Sequence, residues 1–142
     1  MFKKILLPLN LQETELAKKA VAFAIKQAQE NGGEITILTV LPGFGMPMVA
    51  SFFPDDTVEK ALRLVAKELK KYIANTFPEN IKVHARIAEG HPSEHILDQA
   101  KKVGADLIVI PSHTKSVPQK LLGACSNKVV EQSPCSVMVI KA

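Results

Sequence analysis

The sequence predicts an α/β fold: a single domain over residues 1–142, an open five-stranded parallel sheet with helices on both faces. Three observations predict it. Short apolar or β-branched runs alternate with longer segments of helical period, the pattern of repeated β-α-β units rather than of hairpins. Runs such as Ile5-Leu6-Leu7 and Leu107-Ile108-Val109-Ile110 are apolar at consecutive positions, as in strands buried on both faces. And 142 residues, 46% hydrophobic and 23% charged, suffice for a two-sided core without staples.

The first strand covers Lys3 to Leu9, where Pro8 ends the apolar run. Asn10 and the polar Gln12-Glu13-Thr14 suit a helix opening, and Ala17, Val21, Ala24 and Ala28 recur behind them at helical spacing. Asn31-Gly32-Gly33 stops this helix, because glycine takes the left-handed cap conformation readily. Glu34 to Val40, EITILTV, is β-branched and apolar and makes a second strand. From Leu41 to Asp56 the chain is broken by Pro42, Gly43, Gly45, Pro47 and Pro54. Phe44, Met46, Met48, Phe52 and Phe53 nevertheless make the stretch too apolar for a free linker. It is expected to fold over the domain edge; a lid, or a grip for unknown protein partners, is the other reading.

Asp55-Asp56-Thr57 offers caps to a second helix, with Val58, Leu62, Val65, Leu69 and Ile73 inward and Glu59, Lys60, Arg63, Lys67 and Lys70 outward. This helix ends near Phe77-Pro78. Ile81 to Ala88 alternates, with Ile81, Val83, Ala85 and Ile87 on one side and Lys82, His84 and Arg86 on the other, as an edge strand does. Glu89-Gly90-His91-Pro92 turns into a third helix through Ile96, Ala100 and Val103, closed by Gly104. Leu107 to Ile110 is a strand buried on both faces. A fourth helix, Gly123 to Gln132, leads through Ser133-Pro134 to a last strand, Ser136 to Lys141.

The formal charge of +4 is spread over helices and loops, without an arginine-rich run and with only 5% aromatic residues, which argues against nucleic acid. The opening MFKKILLPLN has an apolar run too short for a signal peptide or a membrane helix, so a cytoplasmic protein without membrane association is expected. Two cysteines, Cys125 and Cys135, make no disulfide framework.

In the commonest five-stranded parallel arrangements the first strand is central and crossovers leave it in both directions. A ligand then sits at the carboxyl ends, where the winding reverses. That point brings Pro8-Leu9-Asn10 beside Pro111-Ser112-His113. The same loop runs on through Thr114, Lys115 and Lys120 into a helix N-terminus at Gly123-Ala124-Cys125, whose first N–H groups lack helical partners and suit an anion.

These pieces resemble the universal stress protein family, the UspA domain, over essentially the full length. The resemblance is carried by KKILLPLN, by ITILTV, by EGHPSEHILDQAKKVGADLIVIPSH and by LLGACSNKVVEQSPCSVMVIK. Within them Gly90, Pro92 and Ile96 match G-x-P-x-x-x-I, and Pro134 to Ile140 match the family's closing strand. The resemblance implies a Rossmann-like sheet of order 3-2-1-4-5 and a homodimer paired through Ser136–Lys141. It also implies a stress-response module that binds ATP or AMP in a regulatory role. The nucleotide would lie between Pro8, Leu9 and Asn10 and the Pro111–Cys125 loop, with adenine near Val40.

The family's loop pattern, G-x2-G-x9-G-[ST], is degenerate here. Pro111 and Thr114 replace two glycines, the spacer to Gly123 is one residue short, Ala124 replaces the hydroxyl residue, and Asn10 stands for the family's aspartate. Pro111 has no N–H to give. Gly123 and the helix N-terminus persist, and Lys115 or Lys120 can supply phosphate charge. Two readings therefore stand: an adenine-nucleotide binding module, or a dimeric scaffold that binds no nucleotide and acts through protein contacts.

No enzyme is expected. The sequence has no Walker motif, no G-x-G-x-x-G after the first strand and no acidic pair for magnesium, and nothing resembles a dedicated base for more than slow ATP hydrolysis. His113 bonds phosphate or simply fixes its loop. His91 and His95 lie at a helix start without a cysteine or acidic residue at matching spacing, so no metal site is expected. Cys125 lies in the first turn of a helix, where the dipole lowers a thiol pKa; a small buried residue is the plainer reading.

Overall fold

The structure, a computed structural model, describes residues 2–41, 55–112 and 123–141. The apolar 42–54 segment lies outside the described residues, as do His113, Thr114, Lys115 and Lys120. In chain order the elements are β1 (Lys4–Pro8), α1 (Thr14–Asn31), β2 (Glu34–Leu41), α2 (Asp55–Thr76), β3 (Lys82–Glu89), α3 (Pro92–Val103), β4 (Leu107–Pro111), α4 (Ala124–Gln132) and β5 (Ser136–Ile140). The five strands form one sheet of order β3-β2-β1-β4-β5, parallel throughout. The expected fold and strand order hold.

The consecutive apolar runs are explained by the two faces. Ile5, Leu7, Ile35, Ile37, Leu107 and Val109 point to one side, under α1 (Ala17, Ala20, Val21, Ala24, Ala28) and α2 (Leu69). Leu6, Leu38, Ile108 and Ile110 point to the other, under Ile96 and Ala100 of α3 and Val129 of α4. A strand with both faces covered cannot carry a polar alternation without burying it.

The element ends follow local chemistry. Gly32 and Gly104 cap α1 and α3 in the left-handed conformation, at φ 63° and 66°. Pro92 opens α3 at its first turn, where a missing N–H costs nothing. A short 3-10 turn, Leu11–Glu13, precedes α1, so the helix opens at Thr14. At the amino ends of the strands, the Asp106 carboxylate accepts from the N–H groups of Lys3 (2.9 Å) and Lys4 (3.0 Å), tying β4 to β1.

Ala85, on the same side of β3 as Val83 and Ile87, is exposed where they are half-buried, as befits an edge strand. One expectation is corrected. The inward stripe of α2 is fully buried only at Leu69, while Leu62, Val65 and Ile73 are half-buried and Leu64 projects into solvent.

Candidate ligand cleft at the carboxyl ends of the strands

The register shows where the sheet opens. β1 pairs with β2 as far as Pro8↔Leu38, but its register with β4 covers only Ile5↔Leu107 and Leu6↔Ile108. β1 and β4 lie on either side of the winding reversal, so the crevice of a doubly wound sheet forms at their carboxyl ends. β2 runs on to Leu41, past the end of β1.

Residues of a parallel strand direct their N–H and C=O alternately to the two neighbours. Leu38 turns to β1, since its carbonyl accepts from Leu9 N–H at 2.9 Å, and Leu41 turns to β3, since its carbonyl accepts from Gly90 N–H at 3.0 Å. Val40 therefore turns its N–H and C=O toward the β1 side, beyond the last β1–β2 pair. There a cleft of about 300 Å³ is lined by Asn10, Leu11, Gln12, Thr39, Val40, Leu41, Val65 and Glu68. Asn10, from the winding reversal, and Val40, from the family resemblance, both line this cleft. Leu11 and Gln12 come in with the turn that follows Asn10, and Val65 and Glu68 from α2; the sequence singled out none of the four for the site.

Other expected site residues have structural duties. Leu9 is buried in the core beneath α1. Pro8 ends β1, in register with Leu38. The Asn10 side chain accepts from Gln12 N–H at 2.9 Å and so shapes the β1–α1 turn.

The second half of the site centres on the start of α4. Pro111 ends β4 opposite Ile140. Its carbonyl accepts from the Ser126 hydroxyl at 3.0 Å, a contact that fixes the first turn of α4 against the strand end and that the sequence did not single out. Ser112, 1% exposed, donates its N–H to Ile140 and accepts from Gly123 N–H at 3.0 Å. Gly123 is the N-cap of α4, and its own N–H is thus committed to Ser112. The N–H groups of Ala124, Cys125 and Ser126 are the ones that a helix start leaves unpaired. Cys125 is half-buried, and burial pushes its thiol up from the ordinary value while Lys128 pulls it down less strongly. The half-burial fits the plainer reading of Cys125, a small residue packed against the core.

A groove of about 330 Å³ between α1 and α2, walled by Val21, Ile25 and Tyr72 among others, contains none of these residues. Among the described residues no group of three His, Cys, Asp or Glu side chains is placed to hold a metal ion. No helix there is long and apolar enough to cross a membrane.

The model of the universal stress protein family matches residues 1–141. The chain belongs to the universal stress protein family. Universal stress protein G of Shigella flexneri is 32% identical over 145 residues, spanning 99% of this chain and 100% of that protein. Among solved structures, the protein MJ0577 superposes with a TM-score of 0.81 at 27% identity, covering 100% of this chain and 97% of that one. A universal stress protein from Archaeoglobus fulgidus, solved in complex with dAMP, has the same fold at 20% identity, a TM-score of 0.70 and coverage of 99% and 98%. The cleft beside Val40 and the start of α4 are thus features of a universal stress protein fold.

Proposed function

We propose that this universal stress protein binds an adenine nucleotide, ATP or AMP, in a regulatory rather than catalytic role. The observation that carries the reading is the position of Val40. Its N–H and C=O face a cleft past the end of β1, and a peptide donor–acceptor pair matches the edge of an adenine ring. The cleft, at about 300 Å³, is at the lower end of ligand-site sizes and suits the adenosine part. The residues fit that group: Leu11, Leu41 and Val65 offer apolar walls, and Asn10, Gln12 and Glu68 a polar rim. The phosphates would reach toward α4, where the Ala124 and Cys125 N–H groups favour an anion, with Lys115 or Lys120 adding charge. The A. fulgidus relative that holds dAMP supports the choice of nucleotide class. Universal stress proteins are generally non-catalytic, and no general base stands in the described cleft other than the carboxylate of Glu68.

The degenerate loop sets the expected strength. Pro111 has no N–H and that of Gly123 is taken by Ser112, so phosphate is held by fewer backbone donors than the family's pattern supplies. Each charge-assisted hydrogen bond is worth about 1.5–3 kcal/mol, so one restored contact raises affinity about tenfold or more. Calorimetry with ATP and AMP on the parent and on Ala124→Ser is the test. Binding by the parent, tightened in the variant, is expected. No binding by either at millimolar nucleotide hands the site to the other reading, a dimeric scaffold working through protein contacts.

A further inference from the structure

We infer that Thr39 is a specificity-determining residue of the cleft, its hydroxyl taking up a hydrogen bond from the bound nucleoside. The inference rests on the nucleotide reading above and adds to it a side chain that the sequence does not mark. On β2 the alternation carries Ile35 and Ile37 into the core beneath α1 and α2, and Thr39 is the next position on that face. An apolar side chain would be the natural continuation. Instead the residue is 4% exposed and its hydroxyl oxygen is buried without a hydrogen-bond partner. Buried polar atoms are nearly always paired, so such an atom invites an explanation. Among the described residues only Gln99 shares this condition, and it lies on α3, outside the cleft.

Thr39 lines the cleft directly beside Val40 and opposite Val65 and Glu68 of α2. A turn about one side-chain bond exchanges its hydroxyl and methyl, so the group can reach an occupant without a backbone shift. A hydroxyl both donates and accepts, which matches either a ring nitrogen or an exocyclic amine of a base. The apolar flanks hold a flat ring, and Val40 and Thr39 then meet its edge from adjacent positions, one through the backbone and one through the side chain.

Thr39→Val keeps the shape and removes the hydroxyl; Thr39→Ser keeps the hydroxyl. AMP affinity by calorimetry and the melting temperature of the ligand-free protein are measured for the parent and both variants. The expected result is a loss of about tenfold or more in AMP affinity for Val and near-parental affinity for Ser. The ligand-free Val variant should melt at or above the parent's temperature, because an unpaired buried group has been removed. Parental AMP affinity in Thr39→Val overturns the inference and leaves the nucleotide reading standing. Equal losses in Val and Ser also overturn it, since they point to packing. A parent that binds no AMP overturns both.

Discussion

Cys125 shows how two local effects compete at one side chain. The charge of Lys128 favours a thiolate, but half-burial between α4 and the sheet disfavours any charge, and burial prevails. Cys135 and Tyr72 are also pushed up by burial. The direction fixes the pH dependence. Below the ordinary thiol value of 9.0, folded and unfolded chains both hold the proton and the contribution is fully present. As pH rises, the unfolded chain ionises first, and stability is lost through the folded pKa. Denaturation midpoints should therefore fall on the alkaline side of pH 9, and less so in a Cys125→Ala, Cys135→Ala variant. Iodoacetamide should modify Cys125 at pH 7 more slowly than it modifies glutathione; rapid labelling would contradict the assignment. Neighbouring glycines show what a sequence conceals at this scale. Gly32, with positive φ, is legible as a cap. Gly33 is required for another reason: a Cβ there would sit 2.8 Å from the carbonyl oxygen of Lys3, the residue just before β1, a contact that only the folded sheet creates.

At the scale of elements, β5 is one of the sheet's two edges. Ile140 turns to β4, since its carbonyl accepts from Ser112 N–H. By alternation Met138 and Ser136 do the same, and Val137 and Val139 direct their N–H and C=O outward. Met138 and Val130, 37% and 44% exposed, are two of the exposed large hydrophobic side chains, one on β5 and one on α4, the helix just before it. An unguarded edge of this kind invites another strand, and we propose a homodimer through Ser136–Lys141. The geometry selects the informative substitution. Val139→Pro removes an outward N–H and should yield a folded monomer by light scattering and circular dichroism. Proline at Met138 instead breaks the internal pairing with β4. A monomeric parent at micromolar concentration, or a Val139→Pro variant as dimeric as the parent, refutes the proposal.

Across the whole molecule, the fold was legible because burial on both faces writes itself as consecutive apolar residues, and helices between strands leave little choice but a parallel sheet. The strand order was not legible from periodicity; the family resemblance supplied it. The cleft was legible only in part. Asn10 follows from the winding reversal and Val40 from the family resemblance, whereas Thr39 reads in sequence as an ordinary β-branched strand residue, and its stranded hydroxyl exists only in the folded chain. The bonds at the start of α4, from Ser126 to Pro111 and from Gly123 to Ser112, join residues across a loop whose path no local pattern dictates.

The central place of β1 has a consequence for how the chain acquires its structure. Its partner on one side, β2, follows closely, but the other side waits for β4, and the Asp106 clamp on Lys4 spans 102 positions. On a ribosome adding about 5–20 residues per second, that interval lasts about 5–20 s. Throughout it the strand holding Leu6 and Leu7 offers an open, apolar, hydrogen-bonding edge, the kind of surface that nascent-chain chaperones shield and that aggregates recruit. A fragment ending at Ala105 should accordingly be insoluble when expressed, while one extended through Lys141 is soluble; a soluble, folded shorter fragment would show that β1 matures without its second neighbour.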